Sequence, residues 1–492
     1  MGERPAISPT RAENYAEWYQ RVIRAADLAE NAPVRGCMTI KPWGYAIWEL
    51  IQSALDRMIK RTGHRNAYFP LLIPKSFLER EAAHVAGFAK ECAVVTHTRL
   101  EQRDGVLRAA APLEEPLVIR PTSEVLIGEA FSRWVRSHRD LPLLINQWAN
   151  VLRWELRPRL FLRTAEFLWQ EGHTAHATRE EAEAEALRML EVYRVLAEDF
   201  LAMPVVCGRK SAHERFPGAV ETYSIEALMQ DGKALQAGTS HFLGQNFSRA
   251  CSIRFTAADG RENFAWTTSW GVSTRLIGGL IMVHSDDNGL VLPPRVAPLQ
   301  VVILPILRGD GEKVLAAAER LRERLEGLRP WGQELRVEVD GRDLRGGEKN
   351  WEYVKKGVPI RVEIGPRDVE ADQVTYARRD REGKWSLPVE DFLKNAVALL
   401  EEVQEELWQR ALQLRRRATA PIGSPDELRA FFSAGNGFAR TYFCEDEAVE
   451  KEFRETLGVT TRCFPLAEEA EEGPCFAHPD RPGRPALWAR AY

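Results

Sequence analysis

The sequence predicts an α+β first domain on an antiparallel sheet over residues 1–292, an α/β domain over 293–410 and a small α+β domain over 411–492. Three observations lead there. Residues 143–173 read as successive strands, and 233–290 return to strands with one glycine-rich helix, "TRLIGGLIMVH". At Pro293 a proline-rich joint, "LPPRVAPLQVVILPI", opens a run that alternates strand and helix for about a hundred residues, the pattern of a compact α/β unit. A second break, "ATAPIGSPDEL", precedes a tail holding three of the seven cysteines.

Taken in order, each element follows from local pattern. From Ala16 to Lys60 apolar residues recur at helical spacing, interrupted by the turn "ENAPVRGCM", and the second helix closes on Gly63, a good C-cap. "AYFPLLIP" is extended, and Pro70 and Pro74 assign it to an edge or a bulge. "LVIRPTSE" (117–124) runs a strand into a helix start, and "TREEAEAEALRMLEVYRVLAEDFL" is an amphipathic helix. In the α/β part, the strands "VVILPIL", "LRVEVDG", "PIRVEIG" and "QVTYARR" are interleaved with three helical patterns, the last being "VEDFLKNAVALLEEVQEELWQRALQLRRR". "EEAEE" (468–472) reads as a solvated loop.

The 492 residues suffice for roughly two to four domains, and 45 % hydrophobic with 28 % charged residues fits a globular protein with a core. A formal net charge of −4 excludes a globally basic nucleic-acid binder, so any such partner needs local basic surfaces. No apolar run is long enough to span a bilayer, the N-terminus lacks an apolar signal core, and "MGERPA" lacks the Ser or Thr of a myristoylation site. Seven scattered cysteines suit a reducing compartment. The expectation is a cytoplasmic protein with no membrane partner.

The chemistry concentrates in "VLRWELRPRLFLRTAEF" (151–167), where Arg153, Arg157, Arg159 and Arg163 stand among large apolar residues. Burying a guanidinium is costly unless an anion meets it. Read as a hairpin turning at Pro158, the segment sets Arg153 and Glu155 on one face, and Arg163 and Phe167 of the returning strand share a face by the same parity. The next stretch, "LWQEGHTAHA", adds Trp169, Glu171 and His173 to the Phe167 face. Two guanidiniums, a carboxylate acceptor and an aromatic plane are what a nucleoside triphosphate asks for. The plainer alternative is an edge hairpin with solvated arginines. The matched glutamates and the polar strand that follows weigh against it. Neither a GxxxxGK[ST] loop nor a GxGxxG follows a strand, so ATP would lie on a sheet gripped by arginines.

At this point the chain resembles the class II aminoacyl-tRNA synthetases. "RTGHRNAYFPLLIP" is similar to their first motif, with Pro70 at a dimer seam. Arg153-Trp154-Glu155 with Arg163 to Phe167 is similar to the second, and "GVSTRLIGGLI" with Arg275 to the third. Within that class, "RPTSE", "FLWQEGHTAHAT", "KALQAGTSHFLGQNF", "TSWGVSTR" and "GLVLPPRVAP" resemble the prolyl-tRNA synthetase family in its archaeal and eukaryote-like form, over nearly the whole chain. The stretch from Phe167 to Gly271 leaves no room for the bacterial form's editing insertion.

The resemblance implies the class II fold and a homodimer. It also implies a two-step reaction in which ATP and L-proline give prolyl-adenylate, and tRNA(Pro) then takes the prolyl group. It assigns Thr122 and Glu124 to the imino group, and Trp169, Glu171, His173 and His241 to the proline pocket. Arg153 would meet the α-phosphate and the substrate carboxylate, and Arg275 the γ-phosphate. Glu155, Arg163, Thr164, Phe167, Gln236, Thr239 and Ser273 would hold the nucleotide, with magnesium on its phosphates. Taken alone, Thr122 and Glu124 read equally well as a helix cap, and His173 and His241 as bonded core histidines. Arg361 and Arg367 match anticodon-reading positions, where arginine suits guanine, and Lys355, Lys356 and Arg378 are candidates for phosphate.

One part departs from the family pattern. Its last domain often holds zinc on two cysteine pairs. Here Cys444 is followed by Val449 where the second cysteine would be, and Cys475 by His478. Valine cannot ligate, so Cys444, Cys475 and His478 are a three-ligand remnant where structural zinc wants four. Cys463 completes the set only if the fold brings it near; the expectation is metal loss. The terminal Tyr492 is expected near the active site. The alternatives are a sister synthetase for threonine, serine or glycine, against which Glu124, His173 and His241 argue, and a synthetase-like regulator, against which the intact motif arginines argue.

Overall fold

The computed structural model describes residues 5–79, 91–155, 157–307, 311–468 and 470–492. Helix α1 (Tyr15–Ala25) buries Trp18, Tyr19, Val22 and Ile23 along one stripe, and the Asn14 side chain caps it by accepting from the Glu17 amide. The interrupting stretch forms a two-stranded ribbon, β1 (Ala29–Asn31) with β2 (Met38–Ile40). Helix α2 (Pro42–Arg61) starts on proline, whose missing N–H costs nothing there, and ends just before Gly63 at φ +94°.

Next come β3 (Arg65–Asn66), β4 (Leu72–Pro74), α3 (Lys75–Glu79), β5 (Ala93–His97), the ribbon β6 (Leu100–Arg103) and β7 (Val106–Ala109), and β8 (Pro112–Ile119). Strand β8 pairs with both β4 and β5 in a side sheet. The main sheet begins after α4 (Glu124–Trp134), with β9 (Leu143–Leu152) and β10 (Glu166–His176). Helix α5 (Arg179–Val195), capped reciprocally by Thr178 and Glu181, leads to β11 (Val205–Arg209), β12 (Glu221–Leu228) and β13 (Ala234–Gly244). Then follow α6 (Asn246–Ala250), β14 (Arg254–Thr256), β15 (Glu262–Phe264), β16 (Trp266–Ser273) and α7 (Arg275–His284). The sheet order is β3, β9, β10, β16, β13, β12, β11, antiparallel except for the β3–β9 pair. Trp18, Trp48, Ile51, Tyr193, Trp270 and Leu280 share the core cluster that α1, α2, α5 and α7 make with this sheet.

The expected hairpin over 151–167 is corrected. Strand β9 ends at Leu152 and β10 starts at Glu166, so Arg153, Glu155 and Arg163 lie on a loop and strand parity does not place them. Pro158 has no N–H for a ladder, and Phe161 stands at φ +62°, a conformation no strand admits. Backbone bonds hold the loop instead: Arg153 N to Ala165 O at 2.8 Å and Ala165 N to Gly36 O at 2.7 Å.

The α/β part comprises β17 (Val301–Pro305), α8 (Gly311–Glu326), β18 (Val337–Val339), α9 (Gly346–Lys355), β19 (Ile360–Ile364), α10 (Pro366–Glu370), β20 (Gln373–Arg378) and β21 (Trp385–Pro388). Its sheet order is β18, β17, β19, β20, β21, parallel among the first three strands and antiparallel beyond. Helix α11 (Val389–Arg417) buries nine residues from Phe392 to Leu412 and runs through position 410. Last come β22 (Thr419–Pro421), α12 (Pro425–Ala434), β23 (Phe438–Phe443), α13 (Glu447–Leu457), β24 (Thr460–Pro465), β25 (Gly473–Pro474) and β26 (Pro482–Ala489). Strand β24 pairs with β11, so the main sheet continues into the C-terminal strands. Within the expected solvated loop, Glu468 and Glu471 each pair with Arg440 at 2.7 Å, while Glu469 lies outside the described residues.

Candidate active site

Strands β10, β13 and β16 and the starts of α4 and α7 converge on a cavity of about 340 Å³. Alternation along β10 presents Phe167, Trp169, Glu171 and His173 to it. Gln236, Thr239 and His241 come from β13, Ser269 and Ser273 from β16, and Arg275 opens α7. Gly271 stands in register between Glu171 and Thr239, so no side chain fills the space between them.

One end is acidic. The Thr122 hydroxyl donates to the Glu124 carboxylate. The helix-cap reading does not hold here: Ser123 is the N-cap of α4, and its side chain makes no capping bond. The Glu171 carboxylate accepts from Ser123 Oγ and, at 2.8 Å, from Gln147 Nε2, and lies 3.0 Å from His173 Nε2. Thr222 Oγ1 lies 3.0 Å from His241 Nδ1, and Phe216 stacks on the His241 ring at 4.5 Å. Burial pushes the His241 pKa down to about 4, so this ring is neutral at pH 7. Burial also works against charge on His173, but the bond and charge of Glu171 outweigh it and raise its pKa. Trp169 Nε1 and Ser269 Oγ are buried without a hydrogen-bond partner among the described residues. An orphaned group of this kind costs about 1–3 kcal/mol, which a polar ligand would relieve.

The other end is basic. A second space of about 160 Å³ is lined by Glu155, Arg163 and Thr164, and shares Arg153, Phe167, Ser273 and Arg275 with the first. The Arg153 guanidinium lies 5.7 Å from the Phe167 ring and 5.8 Å from the Trp169 ring, and its Nε donates to Pro121 O at 2.8 Å. Burial lowers the Arg153 pKa against the pull of Glu124, Glu91 and Glu171. Burial, then Arg163 and Arg153, bring the Arg275 pKa down to about 10. Guanidiniums crowded so that they repel one another form a site for a polyanion. Glu155 lies 3.4 Å from Arg163 Nε and accepts from the Arg157 amide at 2.9 Å. Thr164 Oγ1 donates to Glu166 O at 2.7 Å.

The fold thus brings together the sequence-predicted residues of both sets. Sequence reasoning missed Ser123, Gln147, Phe216, Thr222 and Ser269. Ser123 lies inside "RPTSE" and Ser269 inside "TSWGVSTR"; the rest come from β9, β12 and the β11–β12 connection, and carry no local signal.

The residues expected to read RNA lie elsewhere. Arg361 on β19 is 7 % exposed, and its Nε donates to Asn350 Oδ1 at 2.9 Å while its Nη1 has no hydrogen-bond partner among the described residues. Arg367, in α10, is exposed. Asn350, Arg342, Arg345, Glu363 and Lys384 line a cleft of about 690 Å³ beside Arg361. Arg378 is buried against Asp380, Glu402 and Glu406, which overturns its expected phosphate role, and Lys356 pairs with Glu352 at 2.9 Å.

Cys444 and Cys475 sulfurs are 3.1 Å apart, but His478 Nε2 lies 3.2 Å from Asp446 Oδ2, and Cys463 packs in a different cluster against Gly208. Among the described residues no group of three or more such side chains is placed to hold a metal, so these residues do not fit a zinc site. Tyr492 donates its hydroxyl to Asp231 at 2.6 Å and lies 5.9 Å from Arg159, beside the 153–165 loop.

Three family profiles match the chain: "tRNA synthetase class II core domain (G, H, P, S and T)" over 108–284, "Anticodon binding domain" over 300–399, and "Prolyl-tRNA synthetase, C-terminal" over 425–492. The chain is 58 % identical to a proline–tRNA ligase of Bdellovibrio bacteriovorus, covering 99 % of both chains, and 57 % identical to one of Rhodopirellula baltica, covering 99 % and 98 %. Among solved structures, prolyl-tRNA synthetase of Cryptosporidium parvum with halofuginone and AMPPNP matches at TM-score 0.91 and 38 % identity, covering 99 % of each chain. The same enzyme with L-proline and AMP matches at TM-score 0.91 and 37 % identity, covering 99 % and 97 %.

Proposed function

As a member of the prolyl-tRNA synthetase family, the chain attaches L-proline to tRNA(Pro) with ATP through prolyl-adenylate, and we propose that its two adjoining spaces are where the reactants meet. One observation carries this reading: Arg153 and Arg275 line both spaces, at the seam between an acidic pocket and a basic one. A small imino acid fits the first, with Glu124 and Thr122 on its ammonium, the ring against Trp169 and Phe216, and Glu171, His173 and His241 setting the polar boundary. A nucleotide fits the second and reaches the shared border with the first, with Glu155 accepting from the adenine amine, Phe167 under the base, Thr164 and Ser273 around the sugar and phosphates, and Gln236 and Thr239 meeting it from the first space. Arg163 and Arg275 neutralise the outer phosphates.

Arg153 touches both anions that must approach, the proline carboxylate and the α-phosphate. Their repulsion is greatest as the carboxylate oxygen closes on phosphorus, so a fixed guanidinium there stabilises the transition state more than either ground state. The carboxylate oxygen bonds to the α-phosphorus and the bond to the bridging oxygen of diphosphate breaks; Arg275 takes up charge on the leaving group. The terminal ribose hydroxyl of the tRNA then attacks the acyl carbon and AMP leaves. Positioning and electrostatics suffice, with no protein nucleophile. Glu91 in the second space and Gln236 in the first would offer side-chain oxygens to magnesium carried on the nucleotide, which would supply positive charge against the phosphates.

Three further assignments belong to this reading. Arg361, with the cleft lined by its partner Asn350, and Arg367 would read the anticodon. Exposed Tyr68, Leu72 and Val94 on and beside the β4–β8–β5 sheet suit burial against a second copy. Seven free cysteines suit the cytoplasm, and no helix among the described residues is long and apolar enough to cross a membrane. ATP–pyrophosphate exchange across the amino acids tests the central reading. Exchange that depends on proline is expected; exchange with threonine and none with proline would end it.

A further inference from the structure

Strands β11 and β12 are joined by residues 210–220, and Glu214, Arg215, Phe216 and Pro217 of this connection line the acidic cavity. From its own side the connection is anchored by Phe216, whose amide donates to Thr222 Oγ1 at 3.0 Å and whose ring stacks on His241. Its outer half is held by the C-terminal part of the chain. Arg454 of α13 pairs with Glu214. Glu450 accepts from Ser211 Oγ at 2.9 Å, with both residues buried. Glu445 pairs with Arg209 and accepts from the Ala212 amide at 3.3 Å. Beneath these ties, Lys210 Nζ donates to Glu226 Oε1 at 2.8 Å and to Arg462 O at 2.7 Å, while Arg462 donates to Glu226 Oε2 at 3.0 Å.

We propose that Glu445, Glu450 and Arg454 are positioning residues that clamp the 210–220 connection over the amino-acid pocket and so set its affinity for proline. The claim rests on the reading of that cavity as the proline site. The argument is one of loop entropy. Ordering a connection of this length is unfavourable; its own bonds, Lys210 N to Thr222 O at 2.8 Å, Glu214 N to Ser211 O at 3.2 Å and Phe216 N to Thr222 Oγ1 at 3.0 Å, hold its ends and one turn, and the ties from Glu445, Glu450 and Arg454 add to them. Each surface pair is worth little alone. Several on one short segment shift the population of the closed form, and a substrate that binds only that form has its apparent affinity lowered by the fraction competent. The nucleotide space draws no lining residue from this connection, so the effect falls on one substrate.

The test is steady-state ATP–pyrophosphate exchange with the full chain. Arg454→Ala is expected to raise KM for proline about threefold while KM for ATP and the melting temperature stay at parental values. Arg454→Lys is expected to restore KM in part. An unchanged KM for proline, or equal rises for both substrates, overturns the clamp. If Arg454→Ala does not fold, Glu445→Gln is read by the same two constants. A parent without proline-dependent exchange would instead refute the site assignment, so the two failures are distinguishable.

Discussion

The two jobs proposed for Arg153 follow from where it stands: its Nε donates to Pro121 O, and the residue lines both spaces. A lysine there keeps the charge but not the planar fork, so Arg153→Lys is expected to lower exchange by roughly 10²-fold, the scale of losing one oriented donor. Glu450 gives a second expectation at this scale. Burial, then Glu445 and Glu447, push its pKa up to about 7 from 4.5, against Ser211 and Lys210. The fold therefore holds this proton more tightly than the unfolded chain does. Its stabilising share is complete below pH 4.5 and is lost as pH rises through 7. Glu450→Gln is expected to remove that loss, leaving the variant equal to the parent at pH 4 and more stable at pH 8, by up to about 3 kcal/mol. Urea melts at the two pH values decide it. At this scale the sequence was legible where chemistry is periodic: Phe167, Trp169, Glu171 and His173 share a face because strand alternation requires it. Thr222 and Phe216 were illegible, since only the pairing of β12 with β13 brings them to His241.

Among the elements, most boundaries followed from caps and breakers, as at Gly63, Thr178 and Pro293. The stretch 153–165 did not. Alternation there mimics a strand, and the decisive facts, Phe161 at φ +62° and the bond from Ala165 N to Gly36 O, depend on a partner more than a hundred residues away. The composition still named side chains that line the two spaces, because a loop and a hairpin between the same strands deliver Arg153 and Arg163 to the same region. Strand β10 carries a prediction of its own. Gly172 faces Trp270, and a Cβ added there would lie 2.0 Å from the ring. Gly172→Ala is expected to cost at least about 1–3 kcal/mol by overpacking, and to raise KM for proline by shifting Glu171 and His173. A thermal melt with exchange kinetics checks both.

For the whole molecule, the first and second domains are joined by charge as well as chain: Arg379, 5 % exposed at its side chain, grips Asp286 with bonds of 2.7 and 2.5 Å. Asp286 is 35 % exposed at its side chain, so breaking this half-buried pair costs about 1–3 kcal/mol, and Arg379→Ala is expected to lower stability and to impair tRNA charging more than amino-acid activation. The three-part plan was legible because proline-rich joints and composition shifts mark it. The continuity of the sheet from β11 into β24 was not, because neither strand carries a sign of its distant neighbour. The central claim is that one guanidinium at the seam of two spaces unites the reactants, while RNA is read in another domain. Measuring exchange and tRNA charging side by side tests it most directly. The account predicts that Arg153→Ala loses both, with exchange down roughly 10²–10³-fold, and that Arg367→Ala keeps exchange and loses charging. Equal loss of exchange in the two variants, or normal exchange in Arg153→Ala, would contradict it.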